Sequence, residues 1–244
     1  MTDWTATIDA YCERLDPSFW AEPLNAVSNL AFILAAAWAW IVARREGRDD
    51  DWAVRALCAV LFAIGVGSFL FHTLANRWSA MADVLPIMVF ILLYLHLAVI
   101  RYLELPVWAG AAIAAAFVPV SAVLESWLTP ALGRLNGSIG YVPTFLTLCG
   151  FAVLLGLRDH PAWRGLAGAA ALLTLSLTMR TLDAQGGAVC EAFPAGTHWG
   201  WHLLNGTLLG VLIVAFVHHG ERAAPGDDAG EGDAARVARN GASG

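Results

Sequence analysis

Lysine is absent from this 244-residue chain, and charge of either sign is scarce at 14%. A soluble domain carries about 25% charged residues, so an ordinary water-filled exterior is excluded. Fourteen arginines oppose 20 acids for a net charge of -6, which leaves no basic stripe for phosphates and excludes a nucleic-acid binder. Cysteine is sparse too. Cys12, Cys58, Cys149 and Cys190 lack metal-ligand spacing and are too few for a disulfide scaffold. Cys58 and Cys149 lie in apolar runs and read as small buried thiols. A Cys12–Cys190 pair is one option, because the topology below puts both on the same side of a membrane. The first 23 residues hold Asp3, Asp9, Glu13, Asp16 and Glu22 and no apolar core of the 7–15 residues a signal peptide needs. A cleaved leader is not expected.

What the chain has is apolar sequence, 58% of it. Seven stretches approach the roughly 20 residues that cross a ~30 Å hydrocarbon layer as a helix. They run near Leu24–Ala43, Trp52–Leu74, Met81–Ile100, Val107–Leu124, Tyr141–Leu157, Trp163–Leu182 and Trp199–Val217. Continuous apolar runs, rather than alternating ones, point to helices and not to a barrel. With the N-terminus outside, ten arginines fall on inner segments and four on outer ones, as the positive-inside rule requires. Trp20, Trp52, Trp78, Trp108, Trp127, Trp163 and Trp199 fall near span ends, where aromatic anchors sit. The expected fold class is therefore all-α: a polytopic membrane protein, a seven-transmembrane helix bundle, N-terminus outside and C-terminus inside. Residues 1–23 form an outer segment, 24–218 the seven-helix domain and 219–244 a disordered inner tail without apolar periodicity. Abundant Ala, Gly and Arg without Lys suits a GC-rich bacterial genome, hence a bacterial inner membrane.

Ionisable side chains within a span are costly and mark function by default. Here they cluster. His72 lies at the end of the second span, Asp83 at the start of the third, and His198 and His202 at the start of the seventh. The second span travels outward and the other two inward, so all four reach one depth on the outer side. His198 and His202 are four apart and share a helix face, the spacing that aims two imidazoles at one metal. With His72 they make three nitrogen ligands, and three protein ligands plus an open position is the catalytic zinc arrangement. Ser68 sits one turn below His72; its hydroxyl either faces a developing oxyanion or bonds back to the Ile64 carbonyl. Asp83 reads as a partner to the metal or as a helix N-cap. His96, His160, His218 and His219 lie at the inner end, out of reach. Asp9, Glu13, Asp16 and Glu22 concentrate acid on the outer side, as candidate calcium ligands or as a solvated cap over the helix ends.

This constellation resembles the alkaline ceramidase family and the wider group of seven-helix membrane hydrolases. Ser68/His72, Asp83 and His198/His202 follow the family's order, and Ala21-Glu22-Pro23-Leu24-Asn25-Ala26-Val27-Ser28-Asn29-Leu30 is similar to its approach to helix one. The resemblance spans about residues 10–218. It implies Zn²⁺ on His72, His198 and His202, Asp83 against the metal-bound water, and Ser68 beside the reacting carbonyl. It implies cleavage of the amide of ceramide, or of a related N-acyl lipid, to a fatty acid and an amine-bearing lipid. The partner would then be a membrane lipid, with no obligate protein partner. The family's calcium-binding N-terminal segment is matched at Glu13 and Glu22; its aspartate is replaced by Ala10, leaving Asp9 and Asp16 as substitutes. The alternative reading is a zinc-containing receptor-like or structural seven-helix protein without hydrolase activity.

Overall fold

The computed structural model describes residues 3–220. The tail expected over 219–244 lies, from residue 221 on, outside the described residues. The elements are α1 (Pro23–Ser28), α2 (Leu30–Arg45), α3 (Trp52–Leu74), α4 (Arg77–Tyr102), α5 (Val107–Leu132), a 3-10 turn (Leu135–Tyr141), α6 (Val142–Leu157), α7 (Trp163–Leu182), α8 (Ala188–Ala192) and α9 (His198–His219). No strand occurs among the described residues; Thr7 and Asn76 form an isolated bridge. Among the described residues, seven helical segments are long and apolar enough to cross a membrane, α1 and α2 together making the first. This is a multi-pass membrane protein of the expected class.

Helix α9 is the axis. Two-thirds of its apolar window is buried, against about a tenth for α5 at the periphery. Gly206 lets α9 press on α2, where an added Cβ would come within 2.9 Å of the Ala31 carbonyl carbon. Gly67 does the same for α3 and α4, since a Cβ there would collide with the Ala82 carbonyl oxygen. Small residues allow such approaches between membrane helices, and this one sets Ser68 beside Asp83. Away from the core, Trp20, Trp52, Trp78, Trp108 and Trp127 are exposed at span ends, as interfacial anchors should be.

Two boundaries differ from expectation for physical reasons. Helix α4 starts at Arg77, not near Met81, because Asn76 and Ser79 form a capping box: Ser79 N donates to Asn76 Oδ1 and Asn76 N to Ser79 Oγ, both at 3.1 Å. Asp83 therefore lies in the second turn and is no N-cap. Helix α5 runs on past Leu124 to Leu132, through Glu125 and Ser126, because hydropathy marks where the lipid ends and not where the helix does.

The end of the bundle opposite the histidines is tied by one carboxylate. Asp51 caps α3 by accepting from Ala53 N at 3.0 Å. It takes Arg101 of α4 in a two-pronged pair at 2.8 and 3.1 Å, and Arg48 at 2.8 Å. Arg48 in turn donates to the Val217 and Gly220 carbonyls at the end of α9. Burial alone would raise the Asp51 carboxyl, but the bonds from Arg101 and Arg48 outweigh it and hold it down, at about 2. A depressed carboxylate stabilises the fold above its unfolded value of 3.8, and that contribution is lost as pH falls through about 2. Asp51→Ala should cost about 3–5 kcal/mol, because it strands a buried Arg101, and should flatten the acid dependence. Thermal melts of detergent-purified protein at neutral and acid pH check this; an unchanged melt at neutral pH contradicts it.

Candidate metal centre

His72 reaches the site from the last turn of α3, where Ala75 closes the helix with its amide on the Phe71 carbonyl at 2.8 Å. His198 and His202 come from the first two turns of α9. The start of α9 is held by Asp183, fully buried, whose carboxylate accepts from Thr197 N at 2.5 Å and His198 N at 2.8 Å. A carboxylate on the free amides of a helix N-terminus is favourable, and it fixes the position of His198. The other Asp183 oxygen accepts from Cys12 N at 2.9 Å. Cys12 is disulfide-bonded to Cys190 of α8, with Cα atoms 5.2 Å apart. The N-terminal segment is thereby strapped across the histidine end of the bundle.

The three imidazoles converge. All are about 1% exposed, with ring centroids separated by 5.1 Å for His72–His198, 4.7 Å for His72–His202 and 4.6 Å for His198–His202. One ligand atom from each lies within 4.8 Å of the others, so the group could hold a metal ion. Their tautomers can be read from their partners. Ser28 spends its proton on the Asn25 carbonyl at 2.9 Å, so its oxygen accepts from His202 Nδ1 at 2.7 Å. Glu22 accepts from His72 Nδ1 at 2.6 Å. Each bond leaves a bare Nε2, and both Nε2 atoms are buried without a partner, as is His198 Nδ1. Buried unpartnered polar atoms are costly, and a metal would satisfy them. A second-neighbour hydrogen bond on the far ring nitrogen is how metal-binding histidines are held. Tyr11 closes the group, its ring stacked on His198 at 3.8 Å. Burial pushes the Tyr11 phenol up to about 12, so it stays protonated; Arg180 Nη1 donates to its oxygen at 3.4 Å.

Ser68 and Asp83 line one cavity below the histidines, and the Ser68 hydroxyl interacts with the Asp83 carboxylate. Among the described residues Ser68 makes no bond back to the Ile64 carbonyl, of the kind Thr73 makes to Phe69 at 2.8 Å. The cavity continues past Phe90 and Tyr94 of α4 and Leu208 of α9 to Ala98 and Leu212, with about 930 Å³ between its atoms including the open mouth. Asp83 and Ala98 are fifteen residues apart on α4, hence about 22 Å at the helical rise. Its walls are almost wholly apolar. Such a lining favours hydrocarbon over polar groups.

The acids of the N-terminal segment do not converge. Glu13 accepts from Leu24 N at 2.7 Å and Asn25 N at 2.8 Å, opening α1. Asp9 accepts from Gln185, and exposed Asp16 from Ser18 N at 2.7 Å. Only Glu22 joins the centre. Burial would raise its carboxyl, but the bonds from His72, Arg14 and Asn25 outweigh that and hold it below the usual range, so it is ionised. Ser28, Asp183 and Arg14 are site residues that patterning did not single out. Asp183 alone left a signal, as a lone acid at the end of an apolar span.

The family model described as Ceramidase matches residues 3–136, more than half of the chain, and the chain belongs to that family. The matched segment contains Glu22, Ser68, His72 and Asp83 and ends before α9, which carries His198 and His202. No curated protein matches the chain.

Proposed function

We propose that this member of the ceramidase family is a zinc-dependent intramembrane amidohydrolase, cleaving the amide of ceramide or a related N-acyl lipid to a fatty acid and an amine-bearing lipid. The observation that carries the reading is one alignment: three buried imidazoles with bare nitrogens, a carboxylate and a hydroxyl beside them, and a long apolar cavity leading away. All-nitrogen ligands in a closely packed group suit zinc. Zinc held there would lower the pKa of a bound water to about 7 and polarise the amide carbonyl. Asp83 accepts the proton of the attacking water and returns it to the leaving nitrogen, serving as base and then as acid. Ser68 donates its hydroxyl to the oxygen that becomes negative as water adds. The apolar cavity takes a hydrocarbon chain and so fixes the scissile bond at its mouth. The metal-binding group comprises three histidines with no fourth protein ligand among the described residues. That favours catalysis over a structural metal, which is normally closed by four.

The experiment is to incubate purified protein with ceramides, N-acyl amino lipids and a total lipid extract, and to read fatty-acid release by mass spectrometry. Release from one amide lipid names the substrate. No release from any of them, with the metal site fully occupied, returns the protein to the structural reading.

In this reading the metal end of the bundle faces out of the cell. The arginine asymmetry supports it, and so does the Cys12–Cys190 disulfide, a bond that persists in oxidising compartments. A cysteine placed at residue 16, in the exposed outer loop, should react with an impermeant thiol reagent in intact cells, and one at Asp49 should not. The reverse pattern overturns the orientation.

A further inference from the structure

Arg14 is the only arginine of the N-terminal segment, and it is buried, 6% exposed. Its Nε donates to Glu22 Oε1 at 2.5 Å. Nη1 donates to the Asp16 and Ser18 carbonyls at 3.2 and 3.4 Å, and Nη2 to the His72 carbonyl at 3.0 Å. The other Glu22 oxygen accepts from His72 Nδ1 and from Asn25 Nδ2 at 3.1 Å. A buried carboxylate and two loop carbonyls are the oxygen ligands that a hard cation such as calcium recruits. Here they already surround a guanidinium, whose planar fork offers five donors and never loses its charge. The remaining acids are spent elsewhere: both Glu13 oxygens on backbone amides, Asp9 on Gln185 and Asp16 on its own turn. Calcium does not fit this donor set.

We propose that the Arg14 guanidinium supplies the positive charge that a bound calcium would otherwise provide, holding Glu22 against His72, and that the metal centre is therefore independent of calcium. The link to His72 rests on the zinc reading above. Arg14 touches no reacting atom; it is a positioning residue. It clamps Glu22, Glu22 fixes the His72 tautomer, and the tautomer aims Nε2 at the metal. Loss of such a supporting bond costs about 10- to 100-fold in metal affinity.

The test measures zinc affinity by chelator competition in detergent-purified protein, with and without CaCl2 up to the millimolar range. Wild type should bind zinc equally well and melt at the same temperature with and without calcium. Arg14→Ala should weaken zinc binding about 10- to 100-fold, and Arg14→Lys should recover part of that, having the charge without the fork. In a Glu22→Gln background, Arg14→Ala should cost little more, since the two act in one line. A folded Arg14→Ala with wild-type zinc affinity overturns the proposal. So does saturable calcium binding by wild type that raises its melting temperature or its zinc affinity. If Arg14→Ala does not fold, Arg14→Lys and the wild-type calcium titration decide. Wild type without zinc would instead sink the zinc reading and the His72 link with it, while the calcium titration still judges the cation replacement.

Discussion

Asp83→Asn should bind as much zinc as the native protein and hydrolyse its lipid about 10²- to 10⁴-fold more slowly, the usual worth of a positioned proton carrier. The substitution keeps the shape of the side chain and its place beside Ser68, but asparagine cannot accept a proton from water or hand one to an amine. The position makes the experiment clean. Asp83 is not the cap of α4, a task that Asn76 and Ser79 already perform, so its replacement leaves the helix start intact. It is also outside the group of atoms that could hold the metal. Ser68→Ala should slow the reaction less, about 10- to 1000-fold by analogy with loss of a single oxyanion donor. The base and acid roles of Asp83 are separable by leaving group. An amide must protonate its departing nitrogen, whereas an activated ester need not, so Asp83→Asn should lose less of its rate on an ester analogue. Equal loss on both would assign Asp83 to the attack step alone. An unchanged rate on the amide would remove it from the chemistry.

How far the sequence carried the fold and site depends on what each residue's signal was. The seven spans were legible because lipid demands long apolar runs, and the helices match them within a few residues where a polar stretch did not extend the helix beyond the lipid. The metal cluster was legible because ionisable residues in apolar runs stand out, and because antiparallel spans translate sequence position into depth. His72, His198 and His202 were placed together on that ground alone. Signals fail where a residue acts through a neighbour that only folding supplies. Arg14 reads as one more flanking charge until its loop closes over Glu22. The acids Asp9, Glu13, Asp16 and Glu22 read as a cluster because they are close in sequence, but each oxygen is aimed by its own turn or helix end. Cys12 and Cys190 lie 178 residues apart, and no spacing rule pairs them; topology offers the pair only as an option, by putting both at one end of the bundle, and the strap held by Asp183 and α8 makes it. Asp83 is legible in its depth, but the choice between a partner to the metal and an N-cap is not, because the capping box of Asn76 and Ser79 lies outside the apolar run and is invisible to hydropathy.

Replacing His72, His198 and His202 together by Ala should abolish both zinc binding and hydrolysis, with native protein holding about one zinc per chain. Each imidazole is buried, and its supporting bonds come from different elements: Glu22 ahead of α1 for His72, Ser28 of α1 for His202, and the Asp183-held start of α9 for His198. The centre is thus a joint between the N-terminal strap, α3 and α9. A ligand that binds only the folded joint stabilises it by an amount that grows with the logarithm of ligand concentration over its dissociation constant. Stripping zinc from the native protein should therefore lower its melting temperature as well as its activity, and returning zinc should restore both. The triple variant lacks the ligands, so chelator and added zinc should leave its melt unmoved. This comparison separates loss of metal from loss of fold, since a variant that merely unfolded would show no cooperative melt at all. A folded triple variant that retains stoichiometric zinc would place the metal elsewhere. Single replacements should grade by what they strand. His72→Ala removes a partner from ionised, buried Glu22 and leaves it to Arg14 and Asn25, whereas His202→Ala frees only the half-buried Ser28 hydroxyl. The first should therefore destabilise the apo protein more than the second, although both remove one nitrogen from the same metal.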